Sequence, residues 1–173
     1  RGLTVTSLPL LHRVPCCGFL FREKPSLPHI KREMIDFYKI PHYAINSIKQ
    51  GADWTTPEGD IIPNHRLVFA GDAPRSYAYC SDTAYNPSLC ETLKGVNLLY
   101  HEATFAEDMA ERARLVGHST ARQAAQIARA AEVGKLLLGH FSARYEDETV
   151  LLQEAQEVFP NAILAHEGLC ISL

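Results

Sequence analysis

Three short apolar segments of this sequence each end in a side chain that can bind a metal ion or move a proton. Apolar runs of this length are typical of buried strands. In open α/β sheets, functional side chains collect at the carboxyl ends of the strands. The pattern therefore predicts an α/β sheet with a site along one edge, formed by residues 96–100 followed by His101 and Glu102, 77–81 followed by Asp82, and 135–139 followed by His140.

The second half of the chain alternates between predicted strands and helices, which favours a layered α/β architecture. Thr104 with Glu107 has the spacing of a capping box, so we expect a helix over residues 106–116. Thr120 with Gln123 has the same spacing and predicts that an alanine-rich helix follows. Further strands are expected at residues 4–11, 17–21, 66–70, 162–165 and 169–173.

Composition predicts a single globular, water-soluble domain. The 173 residues are 46% hydrophobic and 21% charged. No apolar run reaches the ~20 residues that a membrane helix needs, so we expect no membrane partner. The net charge of −3 argues against a surface that coats nucleic acid throughout. The five cysteines form no CxxC pair, and we expect them to be reduced packing residues of a cytoplasmic protein.

Residues 22–63 differ in kind from the rest of the sequence, because they combine five prolines with several basic residues. Two short helices are expected there, at about residues 31–39 and 43–50. Basic residues interleaved with aromatic ones are one way to grip a phosphate backbone. The alternative is a solvated excursion from the core, and the residues alone leave both interpretations open.

His12, Asp82 and His140 are each predicted at a strand-to-loop junction. Imidazole and carboxylate groups together suit zinc or a similar divalent metal. A single carboxylate among histidines is able to bridge two metal ions, which would activate water for attack on a phosphodiester. The alternative is that each residue only makes hydrogen bonds in its loop, and that His118 only precedes a helix. Because the candidates are far apart in sequence, spacing alone does not decide between these interpretations.

Four motifs follow one another at residues 79–83 (Tyr-Cys-Ser-Asp-Thr), 101–105 (His-Glu-Ala-Thr-Phe), 118–120 (His-Ser-Thr) and 139–145 (Gly-His-Phe-Ser-Ala-Arg-Tyr). This series resembles that of ribonuclease Z, the tRNA 3′-end endonuclease of the metallo-β-lactamase superfamily. The resemblance covers nearly the whole chain from His12 onward. It implies the αβ/βα sandwich of that superfamily, with residues 1–173 forming its carboxyl-terminal portion and residues 22–63 forming an inserted basic arm that grips tRNA.

The resemblance also implies roles for individual residues. His12, Asp82 and His140 would be zinc ligands, with Asp82 bridging the two ions of a complete site. His118 would protonate the leaving oxygen, and Glu102 would orient His118. The implied substrate contacts are Arg144 and Ser142 near the site and Lys31, Arg32 and Lys49 in the arm.

The function implied by the resemblance is zinc-dependent removal of the 3′ trailer from precursor tRNA, by attack of metal-activated hydroxide on the phosphodiester. A homodimer is also implied. The His-x-His-x-Asp-His motif of ribonuclease Z is absent from this sequence. We therefore expect a part of a longer protein, which by itself binds zinc weakly and is inactive. The alternatives are another ester or diester hydrolase of the superfamily, and a non-catalytic RNA-binding or dimerisation module.

Overall fold

The computed structural model describes residues 2–173, which divide into two compact units. The sheet unit consists of residues 2–23 and 75–173, and the arm unit consists of residues 24–74. The arm unit overlaps the segment 22–63 whose composition differs from the rest, and it continues further along the chain. None of the helices in the described residues has the length and apolar character needed to cross a bilayer.

Strands and short helices alternate along the chain. In chain order, the strands are β1 (Leu3–Pro9), β2 (Cys17–Glu23), β3 (His29–Ile30), β4 (Trp54–Thr55), β5 (Ile61–Ile62), β6 (Val68–Phe69), β7 (Ser76–Cys80), β8 (Leu98–Glu102), β9 (Lys135–Gly139) and β10 (Ala162–Leu164). The α-helices are α1 (Arg32–Phe37), α2 (Ile45–Lys49), α3 (Asn64–Leu67), α4 (Leu89–Thr92), α5 (Ala110–Val116), α6 (Ala121–Ala130) and α7 (Thr149–Gln156). Two 3₁₀ turns occur at His42–Ala44 and Glu107–Met109.

A six-stranded sheet forms the centre of the sheet unit, in the order β1-β2-β7-β8-β9-β10. The first three strands are antiparallel neighbours, whereas β7 to β10 run parallel. The carboxyl ends of β7, β8 and β9 therefore lie along one edge, with Cys80 opposite His101 and Glu102 opposite Gly139. The prediction of an α/β sheet that brings three strand ends to one edge is confirmed.

Helix α6 packs into the core through a face of small residues. Four alanines of this face are fully buried, in the same apolar cluster as Leu99 of β8. The helix begins at a capping box, in which the Gln123 N–H donates to Thr120 Oγ1 and the Thr120 N–H donates to Gln123 Oε1. Both partners of this box are local, and the prediction made from their spacing is confirmed.

The predicted capping box at Thr104 and Glu107 is wrong. The 3₁₀ turn that begins at Glu107 is preceded by Ala106 in an extended conformation, without a side-chain cap. The Thr104 hydroxyl instead donates to Glu102 Oε2 at 2.6 Å, and Glu107 Oε2 accepts from the Thr120 hydroxyl at 2.8 Å. Tertiary hydrogen bonds therefore take both side chains away from the expected helix start.

Two of the predicted strands are also wrong. Residues 66–70 contain the end of α3 and the two-residue strand β6. Residues 169–173 form no strand. Ile171 and Leu173 instead line cavities together with Tyr77 of the central strand β7. This last segment therefore crosses a face of the sheet and does not extend its edge.

All five cysteines are free thiols. Cys80 is buried, and Cys16 and Cys90 are partly buried. The expectation that all five are packing residues is wrong for Cys17 and Cys170, which are exposed. Cys17 begins β2 on the side of that strand that faces solvent, since burial alternates along the strand.

The arm unit has a small apolar core of its own, formed by Ile40, Ala44, Ile48, Ile62 and Leu67. Its strands pair as two short antiparallel ribbons, β3 with β6 and β4 with β5. The two helices expected in this segment correspond to α1 and to the first 3₁₀ turn followed by α2. The segment is therefore a packed unit and not an extended loop.

Candidate active site

The candidate site lies where the parallel strands β7, β8 and β9 end. Asp82 follows β7, Glu102 ends β8, and His140 follows β9. Together with His118, these residues each place one ligand-capable atom within 4.8 Å of the others. Asp82 Oδ1 and His140 Nε2 are 3.0 Å apart, and the rings of His118 and His140 stack with centroids 5.3 Å apart. The structure therefore brings together four residues that were singled out from the sequence.

Asp82 and His140 both have a left-handed backbone conformation, with a φ of +58° at each residue. Such a conformation costs a residue other than glycine about 1–3 kcal/mol and is concentrated at functional sites. At Asp82, the Cys16 thiol donates to the carbonyl oxygen at 3.2 Å. At His140, the Thr104 hydroxyl oxygen accepts from the ring Nδ1 at 2.9 Å. Neighbouring side chains therefore support both strained turns.

Glu102 is fully buried, and its carboxylate accepts four hydrogen bonds. Oε1 accepts from the Thr83 N–H at 2.5 Å and from His118 Nδ1 at 2.9 Å. Oε2 accepts from the Thr104 hydroxyl at 2.6 Å and from the Ser119 N–H at 3.0 Å. Because each oxygen already has two donors, Glu102 is suited to orient its neighbours and not to bind a metal ion.

Three imidazoles of the site each use Nδ1 in a hydrogen bond within the protein. Nδ1 of His12 lies 2.8 Å from a backbone carbonyl oxygen, and Nδ1 of His118 contacts the Glu102 carboxylate. Since these oxygens only accept, Nδ1 carries the proton in both rings. Thr104 donates its one hydrogen to Glu102, so it accepts from His140 Nδ1 at 2.9 Å. In each ring Nε2 is therefore the nitrogen that is available to bind a metal ion or to exchange a proton.

His12 lies beside this group of residues, with its ring centroid 5.0 Å from that of His118. His12 is not one of the four residues whose ligand-capable atoms lie within 4.8 Å of one another, which are Asp82, Glu102, His118 and His140. The side chains at this edge offer imidazole nitrogens and carboxylate oxygens as donors. Zinc takes such a set, and hydrogen bonds to the opposite ring nitrogen orient the ligands and raise their basicity. The donor types at this edge therefore suit zinc or a similar divalent metal.

Burial perturbs two titratable side chains near the site. It raises the pKa of the Cys16 thiol, and the charge of Asp82 raises this pKa further. Cys16 therefore stays protonated and able to donate. Burial lowers the pKa of His101, which is fully buried on β8. His101 Nδ1 lies 2.8 Å from a carbonyl oxygen, while its Nε2 has no hydrogen-bond partner among residues 2–173, so the ring is neutral.

Arg144 and Ser142, two of the predicted substrate contacts, lie in the loop after β9. Arg144 Nε donates to Ser142 Oγ at 3.1 Å, and the guanidinium lies 5.0 Å from the centre of the Phe105 ring. The Phe105 ring is in turn 6.4 Å from that of His118. A basic group is therefore held beside the site on an aromatic surface.

The other predicted substrate contacts, Lys31, Arg32 and Lys49, belong to the arm unit. Lys31 Nζ donates to the carbonyl oxygen of Arg66 at 3.0 Å, so part of its bonding capacity is used within the arm unit. Arg32 is exposed at the start of α1, and Lys49 ends α2. Contact of these three residues with RNA stays a prediction.

The chain resembles curated proteins along its entire length. It is 60% identical over 173 residues to the ribonuclease Z of Bacteroides fragilis strain YCH46, and 58% identical to that of Bacteroides thetaiotaomicron. The chain is therefore similar to ribonuclease Z over all of its 173 residues. It spans 57% and 55% of these two proteins, little more than half their length. No protein-family model matches it.

Solved structures share the fold of this chain at low sequence identity. The metallo-β-lactamase fold protein YhfI from Bacillus subtilis gives a TM-score of 0.62 at 20% identity, covering 96% of this chain and 48% of YhfI. The short form of human tRNase Z gives a TM-score of 0.56 at 20% identity, covering 98% of this chain and 43% of that structure. The metallo-β-lactamase-type α/β fold implied by the sequence resemblance is confirmed.

Thr104 and Cys16 are residues of the site that the sequence analysis missed. Thr104 stands three residues before Glu107 and therefore resembles a helix cap. The signal that would have found it is its position two residues after Glu102, within reach of a neighbouring strand end. Cys16 and Asp82 are 66 residues apart, and no local pattern connects them.

Proposed function

We propose that this chain supplies part of the active site of a zinc-dependent endoribonuclease that removes the 3′ trailer from precursor tRNA. The observation that carries the proposal is the edge at which Asp82, His118 and His140 meet beside the buried carboxylate of Glu102. The identity of 60% to a ribonuclease Z supports RNA as the substrate. A cytoplasmic location and a homodimer belong to the same proposal and rest on the resemblance alone.

His12, Asp82 and His140 would hold zinc at this edge. Their imidazole and carboxylate donors suit the ion, and the hydrogen bonds to Nδ1 of both rings fix the ligand orientation. When bound, zinc would supply positive charge for the phosphate oxygens and lower the pKa of a water molecule. About two ions would occupy a complete site, with Asp82 shared between them.

His118 would donate a proton to the oxygen that leaves the phosphorus atom. Its Nδ1 is bound to Glu102, which leaves Nε2 for the substrate. The Glu102 carboxylate would also stabilise the protonated ring, as a carboxylate does for a catalytic histidine. Cleavage that leaves a 3′-hydroxyl makes the leaving atom the O3′ of the nucleotide upstream of the bond.

Arg144 would contact the phosphate. Its guanidinium keeps a fixed position between Phe105 and Ser142, and a guanidinium recognises phosphate oxygens with paired hydrogen bonds. Lys31, Arg32 and Lys49 of the arm unit would also bind tRNA. Such an arm would be of no use to a hydrolase of small molecules.

A different phosphodiesterase of the same fold is the second candidate, because the likeness to YhfI concerns the fold and not the substrate. A non-catalytic RNA-binding or dimerisation module is the alternative from another class. It is supported by the absence of the His-x-His-x-Asp-His motif from this sequence. These candidates differ in metal content and in substrate, so one experiment separates all three.

The test compares the 173-residue chain with a chimera in which this chain replaces the matching part of Bacteroides fragilis ribonuclease Z. Elemental analysis should find about two zinc ions per chimera and far fewer per isolated chain. The chimera should cut precursor tRNA to a 3′-hydroxyl, and the isolated chain should not. His118→Asn in the chimera should lower the cleavage rate by about 10²- to 10⁴-fold, the usual contribution of a general acid.

A folded, zinc-loaded chimera that cuts no precursor tRNA would overturn the proposal. If that chimera hydrolyses small phosphodiesters, the second candidate takes its place. If neither protein holds metal but both bind tRNA, the non-catalytic module is the correct interpretation.

A further inference from the structure

A cavity of about 320 Å³ opens beside His118, whose side chain forms part of its wall. This volume lies at the lower end of the roughly 300–1,000 Å³ that small-molecule sites occupy, so it suits a single ring system. All of the lining residues belong to the sheet unit. The residues that decide what the cavity accepts are Tyr85, Glu111, Arg114 and Gln123.

The side chain of Tyr85 forms an aromatic wall of this cavity, and its ring is available to stack on a ligand. Its side chain is 38% exposed, and it makes no side-chain hydrogen bond and no ring stack with any other residue in the range 2–173. Flat aromatic side chains are the usual platforms for nucleobases, because every base has a π-face that stacks on them. The Tyr85 cavity therefore has the surface that a base needs.

The polar groups of the wall favour a neutral ligand over a phosphate. Nε and Nη2 of Arg114 donate to the two carboxylate oxygens of Glu111 at 3.1 and 2.7 Å, so the two charges compensate each other. Gln123 Oε1 accepts from the Thr120 N–H, which leaves the Gln123 NH2 group to donate. Ring nitrogens and carbonyl oxygens on base edges are acceptors for such a group.

A second cavity, of about 260 Å³, shares Ala84 and Arg114 with the first and is lined by His12 and Arg13. Its wall contains no Phe, Tyr or Trp side chain from the described part of the chain. Stacking of a base is therefore available in the Tyr85 cavity and not in this neighbouring one.

We propose that the Tyr85 cavity binds the nucleobase of the nucleotide that carries the leaving O3′. The inference rests on the proposed function, in which His118 gives its proton to that oxygen. Since O3′ and the base belong to one nucleotide, the base lies close to His118, and the Tyr85 cavity is the aromatic-walled space that His118 lines. Stacking on Tyr85 tolerates every base, so the cavity positions this nucleotide without strong selection among bases.

The test is binding of a short RNA whose 3′-terminal nucleotide is 2-aminopurine, followed through the fluorescence of that base, to the 173-residue chain. Stacking should quench the fluorescence. Tyr85→Leu should weaken binding by at least about fivefold, whereas Tyr85→Phe should stay within about twofold of the wild type. Tyr79→Leu is the matched control, because Tyr79 is 39% exposed but stacks on Tyr100 outside the cavity.

Equal affinity of Tyr85→Leu and the wild type would overturn the inference, and so would an equal loss in Tyr79→Leu. NMR of the wild-type chain gives a second measurement that needs no folded variant. The side-chain amide signal of Gln123 should shift on addition of the RNA, while that of Gln156, which donates to Ala162 O at 3.0 Å, should not. An unmoved Gln123 signal would also overturn the inference.

The failure of this inference and the failure of the proposed function give different results. A chimera that cuts precursor tRNA with no dependence on Tyr85 would refute the base site alone. Binding of the RNA that depends on Tyr85, in a chain whose chimera cuts no precursor tRNA, would support the base site and refute the proposed function.

Discussion

Replacing Glu102 with Gln should destabilise the sheet unit, because one buried carboxylate serves four donors. In glutamine, one oxygen becomes an NH2 group, which donates and does not accept. If NH2 replaces Oε2, it faces the Thr104 hydroxyl, which is able to turn and accept, and the Ser119 N–H, which is not. If it replaces Oε1, it faces the Thr83 N–H and the protonated Nδ1 of His118. The first orientation is the less costly of the two.

The expected magnitude follows from these contacts. In the less costly orientation, one buried N–H loses its acceptor, at about 1–3 kcal/mol. The remaining hydrogen bonds lose the negative charge, and bonds to a charged group contribute about 1.5–3 kcal/mol each, against about 0.5–1.5 kcal/mol for neutral ones. We therefore expect the free energy of unfolding to fall by about 3 kcal/mol or more. For a chain of this size, the melting temperature should fall by about 6–12 °C.

Differential scanning calorimetry of the purified chains measures this change. Glu107→Gln is the matched control, because Glu107 is partly buried and accepts from one side-chain hydroxyl, that of Thr120, which is able to reverse its hydrogen bond. Its expected loss is below about 1 kcal/mol. A Glu102→Gln chain that melts within about 2 °C of the wild type, or no lower than Glu107→Gln, would refute the reasoning.

Three further predictions concern single residues of the sheet unit. Gly117→Ala places a Cβ 2.9 Å from His12 Nδ1 at a φ of +81°, so zinc affinity of the chimera, measured by competition with a chelating dye, should fall about 10- to 100-fold. Gly95→Ala, with a φ of +68° and no atom within 4 Å, is its control, and an equal loss there would contradict the role of His12. Thr104→Val should change the imidazole ¹⁵N chemical shifts of His140, because the Thr104 hydroxyl selects the tautomer of that ring, whereas Thr104→Ser should preserve the shifts. Unchanged shifts in both variants would contradict this selection. Burial lowers the pKa of His101 in the folded chain below its ordinary 6.5. As the pH drops, His101 therefore takes up a proton more readily in the unfolded chain than in the folded one, and the free energy of unfolding falls below about pH 6.5. Urea unfolding at about pH 7.5 and 5.5 should show that His101→Asn loses less stability between the two pH values than the wild type does. An identical loss of stability in both proteins would contradict this role of His101.

Local sequence patterns predicted those parts of the structure that depend on residues close to one another in the sequence. The apolar runs before Asp82 and His140 became β7 and β9 within a residue of the expected bounds, because apolar runs of this length are typical of buried strands. The capping box of Thr120 and Gln123 formed because its two side chains need only each other.

The features that escaped prediction depend on partners far away in the chain. Thr104 has the spacing of a cap, yet its hydroxyl is hydrogen-bonded to the buried Glu102 carboxylate and to the ring of His140, 36 residues further along the chain. Residues 169–173 have the composition of a strand, but they lie against Tyr77 on a face of the sheet. The contact from Cys16 to the carbonyl oxygen of Asp82 has no local signature at all.

The left-handed backbone at Asp82 and His140 restricts which amino acids these positions accept, independently of the metal. Among residues other than glycine, Asn, Asp and His adopt this conformation most readily. Only Asp and His of this group are also common zinc ligands. A thiolate or a longer carboxylate at either position would satisfy the metal and strain the turn. The same two residue types therefore suit both positions. The reciprocal exchange of Asp82→His with His140→Asp should keep the backbone conformation of both turns.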